Sequence, residues 1–425
     1  MLSNWASTTF QALHNRDFRI LWIGTAISFL AFNMSWIVQS VVAFDIAGNN
    51  SAVGVVFTGM GIATLFVAPF GGVIADRVSK RRLLLIGQSI MSLTFVAVGI
   101  LILTDQITIL WLFLSTLLMG LVFSFIAPAR QAWVGEMLPR DEVTNGVALT
   151  QVAMSATRVI GPAIAAILLA LAVVGAGGTY LVMGAFLAIV VGTLAQLPPT
   201  KGTAAKDRKP IMDELKSGAR HVAGRPRLLL LVLSFIGITV TAYSYQVVFP
   251  GMLENELGID AEKGIGPLFI VTAVAGLLAT VLLAATASGK HAWRVMVISG
   301  IGLGISVTAT AFSPSYLTLA IMMIPLGVCM GAFQMLNNAL VMRESEPAFY
   351  GRVMSITMIA WGLNSLAGLP FGILADKAGE REALAVMGVL ATVVAVAVAL
   401  VFAPMRSKPV EHPASEVTED SSPAA

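Results

Sequence analysis

Three sets of polar residues in an otherwise apolar chain have types and spacings that point to chemistry. The first is a single cation, Arg158, inside the run Val143 to Val173, which holds no other charge. A charge at such a position faces a cavity or a partner, because leaving it in hydrocarbon costs several kcal/mol. The second is Gly72-Val-Ile-Ala-Asp76-Arg77-Val-Ser-Lys80-Arg81-Arg82, a carboxylate followed at once by basic residues. The third is a scatter of amides and phenols in apolar segments: Asn33, Gln39, Gln151, Tyr243, Tyr245, Gln246, Gln334, Asn337, Asn338 and Asn364. Bond-making chemistry has no visible residues. There is no Gly-x-x-x-x-Gly-Lys-Ser/Thr loop and no His-Glu-x-x-His, and Gly300-Ile-Gly-Leu-Gly304 lies in an apolar run with no flanking strand, where it serves helix packing. What remains is non-covalent: a cation for an anionic group, a carboxylate for a helix N-terminus, and amides that line a cavity or tie helix to helix.

The segments that carry these residues read as membrane helices. Of 425 residues 57% are hydrophobic and 12% charged, half the share of about 25% usual in soluble proteins. The mean hydropathy of +0.86 spreads over the whole chain, so one anchor on a soluble enzyme is excluded. Twelve apolar segments reach the roughly 20 residues that a helix needs to cross a bilayer. They lack the alternation of a β-barrel. The fold class is therefore an all-α membrane protein of twelve transmembrane helices. The first segment, Ile20 to Phe44, exceeds the core of a signal peptide and reads as a true span.

Placing the N-terminus in the cytoplasm puts 22 of the 26 Lys and Arg residues in inner loops and tails. Only Lys263, Lys377 and Arg381 fall outside, and Arg158 completes the count. By the positive-inside rule both termini are cytoplasmic, in a multi-pass protein of the cell's inner (plasma) membrane. A net charge of +3 is too small for a nucleic-acid partner, and the single Cys329 can form neither an intrachain disulfide nor a thiolate cluster.

The domain reading is an N-terminal cytoplasmic segment 1–19, a six-helix half 20–197, a cytoplasmic linker 198–227, a second six-helix half 228–403, and a disordered tail 404–425. The linker places Ile211, Leu215 and Ala219 on one face of an amphipathic helix lying on the inner leaflet, and the N-terminal segment with Trp5, Phe10 and Leu13 does likewise. Adding 208 takes Arg19 to Arg227, Glu136 to Glu344, Pro139 to Pro347 and Pro162 to Pro370, which indicates two parallel pseudo-repeats.

The Gly72 to Arg82 segment, between the second and third spans, resembles the Gly-x-x-x-Asp-Arg-x-x-Arg/Lys-Arg motif of the major facilitator superfamily. The resemblance covers all twelve spans and implies that fold. It implies further that the loop, through Gly72, Asp76, Arg77, Lys80, Arg81 and Arg82, holds the cytoplasmic side closed against the opposite half, with Asp76 seated at the start of the eleventh span. The basic residues equally serve as topology signals at the anionic leaflet. The segments Pro128-Ala-Arg130-Gln through Pro139-Arg140, and Glu346-Pro347 then Gly351-Arg352, resemble the drug and siderophore (enterobactin exporter-like) branch. Gly161-Pro162 in the fifth span is similar to the Gly-Pro motif of the family's antiporters, with alanines where glycines usually follow. Pro162 removes a backbone donor and lets the helix bend at Gly161.

Arg158 lies roughly 22 Å along the fifth helix if that helix starts at Val143. It either attracts an anionic substrate group or senses proton-linked rearrangement, or it pairs with Asp45 or snorkels outward. Asn33, Gln39, Asp45, Gln151, Tyr243, Gln246, Gln334, Asn337 and Asn364 complete the substrate and coupling candidates. No Asp, Glu or His falls within an apolar run, so no coupling carboxylate stands out. A second Gly-x-x-x-Asp stretch, Gly372 to Asp376, lies on the outer side and reads as a tight turn with a helix-capping acid, not as a gate. The expectation is a monomeric secondary transporter working by alternating access, with no cofactor and no metal. It exports a small amphiphilic molecule, drug-like or a siderophore, against protons, in contact with membrane lipid. The alternatives are a lipid flippase or metabolite carrier on the same fold, and a non-transporting scaffold.

Overall fold

The computed structural model describes residues 11–139, 142–171, 173–199, 211–283, 286, 289, 291–346 and 349–405. Within these stretches some side chains, among them those of Asp76, Arg77, Ile211 and Leu215, fall outside the description. Trp5, Phe10, Arg140 and the tail beyond Met405 lie outside the described residues. The helices are α1 (Arg16–Ala47), α2 (Asn50–Arg77), α3 (Lys80–Leu103), α4 (Ile109–Met137), α5 (Val143–Ala170) and α6 (Gly175–Leu194), then α7 (Ile211–Ala223) in the linker. They continue with α8 (Pro226–Ala242), α9 (Tyr245–Gly251), α10 (Ala261–Leu283), α11 (Ala292–Ala311), α12 (Tyr316–Glu344), α13 (Tyr350–Ala378) and α14 (Glu380–Met405). Twelve candidate spans result, because α8 and α9 form one span with a π turn at Met252–Glu256.

The starts of these helices are written in the sequence. Side chains of Asn15, Asn49, Ser79, Thr108 and Ser315 accept from first-turn amides of α1, α2, α3, α4 and α12, which otherwise have no intrahelical partner. The ends overrun the apolar segments. At 29 residues α4 is about 44 Å long, well beyond the roughly 30 Å hydrocarbon core. Two expectations change as a result. Arg16 and Arg19 belong to α1 rather than to a separate N-terminal segment, and Arg130, read as a loop residue, is inside α4 and 3% exposed. Arg158 is thus not the only cation within a span. The seventh span, expected unbroken, is interrupted between Ala242 and Tyr245.

The duplication extends to helix bounds. Adding 208 to α4 (109 to 137) gives 317 to 345, against 316 to 344 for α12; adding it to α5 (143 to 170) gives 351 to 378, against 350 to 378 for α13. Within the first half α2 packs on α4, α3 on α6, and α1 on α5 and α6; within the second, α11 packs on α14 and α12, and α10 on α12. The halves meet along α2 with α13 and α5 with α10, while α9 touches α1 and α2.

The linker helix α7 forms over the expected stretch. Gly218 and Val222 are its buried positions and Ala219 is exposed; a side chain at Gly218 would meet Arg352 of α13. The helix packs on the protein, against α8 and α13; the face expected to meet the inner leaflet includes Ile211 and Leu215, whose side chains lie outside the described residues. Arg225 beyond it pairs with Glu346, holding that carboxyl below the usual carboxylate range, and His221 stacks on Phe349 at 3.9 Å. The chain before α1 docks too: Ala12 is fully buried and its amide donates to Asn145 of α5.

Close helix packing carries the bundle, since lipid tails supply no hydrophobic drive between helices. Gly304 of α11 lies against α14, where a Cβ would come within 2.3 Å of Thr392 Oγ1 and 2.7 Å of the Gly388 carbonyl. The packing role expected for the Gly300 repeat is seen in this contact. Gly304→Val is expected to destabilise the protein by about 1–3 kcal/mol, as overpacking does, and thermal unfolding followed by size exclusion in detergent reads it. An unchanged midpoint would mean that α11 and α14 separate freely.

Candidate functional site

Arg158 sits at mid-depth and points inward. Its Nη1 donates to Gln334 Oε1 of α12 at 3.4 Å, a contact between the two halves. It makes no ion pair with Asp45, which is exposed near the end of α1. Tyr243, at the break in the seventh span, lies within electrostatic reach of Arg158; its hydroxyl donates to the Met330 carbonyl at 3.4 Å and its ring meets Trp361 edge-on at 5.6 Å. On the other side Asn33 donates to Thr157 Oγ1 at 3.4 Å, next to Gly161, where a Cβ would come within 2.8 Å of the Asn33 Cβ. The helix assignment runs unbroken through Pro162. Arg158, Gln334, Tyr243 and Asn33 are therefore the candidates the fold brings to one level.

The others separate from this group. Gln39 is fully buried within the first half beside Tyr180. Asn337 is fully buried and donates to the Leu231 carbonyl of α8 at 3.1 Å, so it ties two helices together. Asn364 accepts from Ser244 Oγ at 3.2 Å and stitches the break between α8 and α9 to α13. Tyr245 packs in an aromatic cluster with Phe249 and Phe269. Gln151 is exposed and Gln246 half-buried.

The motif after α2 has a different use for one of its cations. Lys80 is 2% exposed and its Nζ meets Glu136 Oε1 of α4 at 2.6 Å, inside the first half, rather than lying free at a lipid headgroup. Arg81 donates to the Ala195 carbonyl at 2.5 Å, where it complements the C-terminal end of α6. The backbone amide of Arg82 closes the Ser79 cap. The side chains of Gly72, Asp76 and Arg77 lie outside the described residues.

At the opposite, acid-rich end Asp376 is the helix-capping acid that the sequence suggests. The helix it caps is α2 of the other half. Its Oδ1 accepts from the Asn50 amide at 2.7 Å and its Oδ2 from the Ser51 amide at 2.9 Å. Both amides sit in the first turn of α2, where a carboxylate completes unsatisfied donors and meets the positive end of the helix dipole. Gly372, one turn earlier, allows the approach, since a Cβ there would come within 2.5 Å of the Asn50 carbonyl. Glu380, 6% exposed, accepts from Asn50 Nδ2 at 3.0 Å and Asn255 Nδ2 at 2.6 Å. Arg381 adds Glu256 Oε2 at 2.5 Å and the Ala311 carbonyl at 2.8 Å. The sequence marks Asp376 as a capping acid but names no partner; no spacing rule points to an N-terminus 326 residues away.

No group of metal-ligating side chains occurs among the described residues. A profile of the Major Facilitator Superfamily matches residues 21–368, and in a second alignment 271–423. The staphyloferrin A transporter of Staphylococcus aureus is 26% identical over 375 residues, 85% of this chain and 91% of that protein. Macrolide efflux protein A of Streptococcus pyogenes is 21% identical over 89% of this chain and 94% of its own length, and the enterobactin exporter of Shigella boydii is 21% identical over 89% and 92%. Among solved structures, the nucleoside transporter NupG superposes with a TM-score of 0.72 at 16% identity, covering 91% of this chain and 99% of that one. A bacterial homologue of the lysosomal transporter Spinster gives 0.71 at 14%, covering 92% and 98%. The chain belongs to the major facilitator superfamily, as a multi-pass membrane transporter and not an enzyme.

Proposed function

We propose that this transporter is a monomeric secondary exporter that moves a small amphiphilic compound out of the cell by alternating access, driven by protons, with both termini in the cytoplasm. The observation that carries the reading is the bidentate grip of Asp376 on the first turn of α2. It joins the two halves at one end of a bundle whose mid-depth cation, Arg158, also reaches across them. Rocking about a mid-depth site requires a contact of this kind, one that holds an end shut and can be released. Basic residues crowd the opposite end, which puts the Asp376 clamp at the outer face. A carboxylate there meets the proton-rich side of an energised membrane.

The inner counterpart on this reading is the Gly72 to Arg82 loop, with Asp76 seated at the start of α13. Since α2 and α13 pack antiparallel, each would end in a Gly-x-x-x-Asp that holds the N-terminus of the other. Substrate sits between, against Arg158, Gln334, Tyr243 and Asn33, with aromatic walls from Trp361 and Phe32. The names of three relatives, a siderophore transporter, a macrolide efflux protein and an enterobactin exporter, support export of amphiphilic compounds.

Inverted vesicles carrying the protein are expected to accumulate macrolides, dyes or siderophores when their lumen is acidified, and to stop when the pH gradient is collapsed. Arg158→Ala is expected to lower that rate more than tenfold with normal membrane insertion. Indifference of every compound to the gradient would end the antiport reading. Spin labels at Ala47→Cys and Asp260→Cys, with Cys329→Ser, report the outer opening. Asp376→Asn is expected to raise the population at long distance about tenfold or more, the scale of a lost charge-assisted hydrogen bond; an unchanged distribution would remove the clamp from the mechanism.

A further inference from the structure

Arg130 is a second interior cation, and its surroundings are unlike those of Arg158. It falls about 10 Å short of the basic end of α4 at 1.5 Å per residue and is 3% exposed. Only its Nη2 has a protein partner, Ser28 Oγ of α1 at 3.2 Å; Nε and Nη1 have none among the described residues. The Ser28 hydroxyl gives its own proton to the Gly24 carbonyl, so it neutralises nothing. A buried guanidinium keeps its charge and offers five donors in a fixed fork, and leaving that fork unpaired away from water is costly.

Arg130 lines a cavity of about 160 Å³ inside the first half, formed by α1, α3, α4, α5 and α6. Its wall is almost entirely apolar, with Phe29, Phe123, Met91 and Met119 prominent, and contains no acidic residue. Phe29 and Phe123 meet edge-on at 6.0 Å, while Phe32 stacks on Phe123 at 4.8 Å, so the wall is a rigid aromatic face with two methionines that can adjust to it. Met358 of α13 is the single lining residue from the other half. The volume is below the 300–1,000 Å³ usual for a whole drug-sized ligand. It suits one head group and one ring.

We propose that this cavity is an anion subsite of the transport path, in which Arg130 binds a carboxylate-like head with the attached ring on the Phe29 and Phe123 face. The proposal rests on the export reading and narrows its substrate class to amphiphiles bearing a negative charge. Thr150, in the same wall, is two turns from Arg158 along α5, about 12 Å at 1.5 Å per residue toward the basic end. An anion entering from the cytoplasm meets Arg130 first and Arg158 at mid-depth afterwards.

The test is binding, not transport, so its failure leaves the export reading intact and the converse holds as well. Radiolabelled 4-phenylbutyrate is bound to the purified full-length protein in phosphatidylcholine nanodiscs, with 4-phenylbutyramide as the uncharged competitor of the same shape. The acid is expected to bind wild type at least tenfold more tightly than the amide. Arg130→Gln is expected to abolish that preference while leaving amide binding unchanged, and Arg130→Lys to keep part of it. Equal affinity of acid and amide for wild type overturns the proposal without any variant, as does a preference that survives Arg130→Gln in folded protein. Nanodiscs containing phosphatidylglycerol separate a solute from a lipid headgroup: unchanged affinity supports the solute, and loss of binding there overturns the assignment to one.

Discussion

The carboxylate of one half on the helix N-terminus of the other is the interaction on which the rest of the architecture turns. A helix in a membrane satisfies its own backbone except at its ends, where the first amides have no partner and no water in the hydrocarbon to replace one. Asn49 satisfies Ala52 from within α2, and Asp376 satisfies Asn50 and Ser51 from α13. One end of the bundle is therefore joined across the halves by charge-assisted bonds, which a change of charge or a small rotation can undo. Apolar packing between the halves, by contrast, gives close fit but little that can be switched.

The interior is consistent with that division. Within each half, glycine contacts and buried amides such as Asn337 make a rigid body. Among the described residues the polar contacts seen between the halves involve charge: Asp376 and Glu380 at one end, Arg158 at mid-depth. Lys80 shows the same economy at the basic end. Its pairing with Glu136 braces α3 against α4 within one half.

Much of this was legible in the sequence because a bilayer imposes lengths. Twelve apolar runs, the loop charges and the offset of 208 fix the helices, their number and their pairing into halves. Arg130 was misplaced because apolar runs mark hydrocarbon and not helix, and α4 continues past its run. The signal was present in the period: Ile126, Ala129, Trp133 and Val134 are buried, and Arg130 falls into the same stripe. Asp376 was legible as a cap, but the helix it caps was not, since the identity of a cap partner is a property of packing across the halves. The amides sorted for the same reason; Gln334 and Asn337 are one turn apart, yet one meets Arg158 and the other a neighbouring carbonyl of α8.

The most direct measurement is residue-resolved hydrogen exchange of the amides at the start of α2 in wild type and Asp376→Asn. The account requires Asn50 and Ser51 to be protected in wild type and to exchange about tenfold faster or more in the variant, while Ala52, held by Asn49 from its own half, is unchanged. Rapid exchange of Asn50 and Ser51 in wild type, or protection that persists without the Asp376 carboxylate, would contradict it.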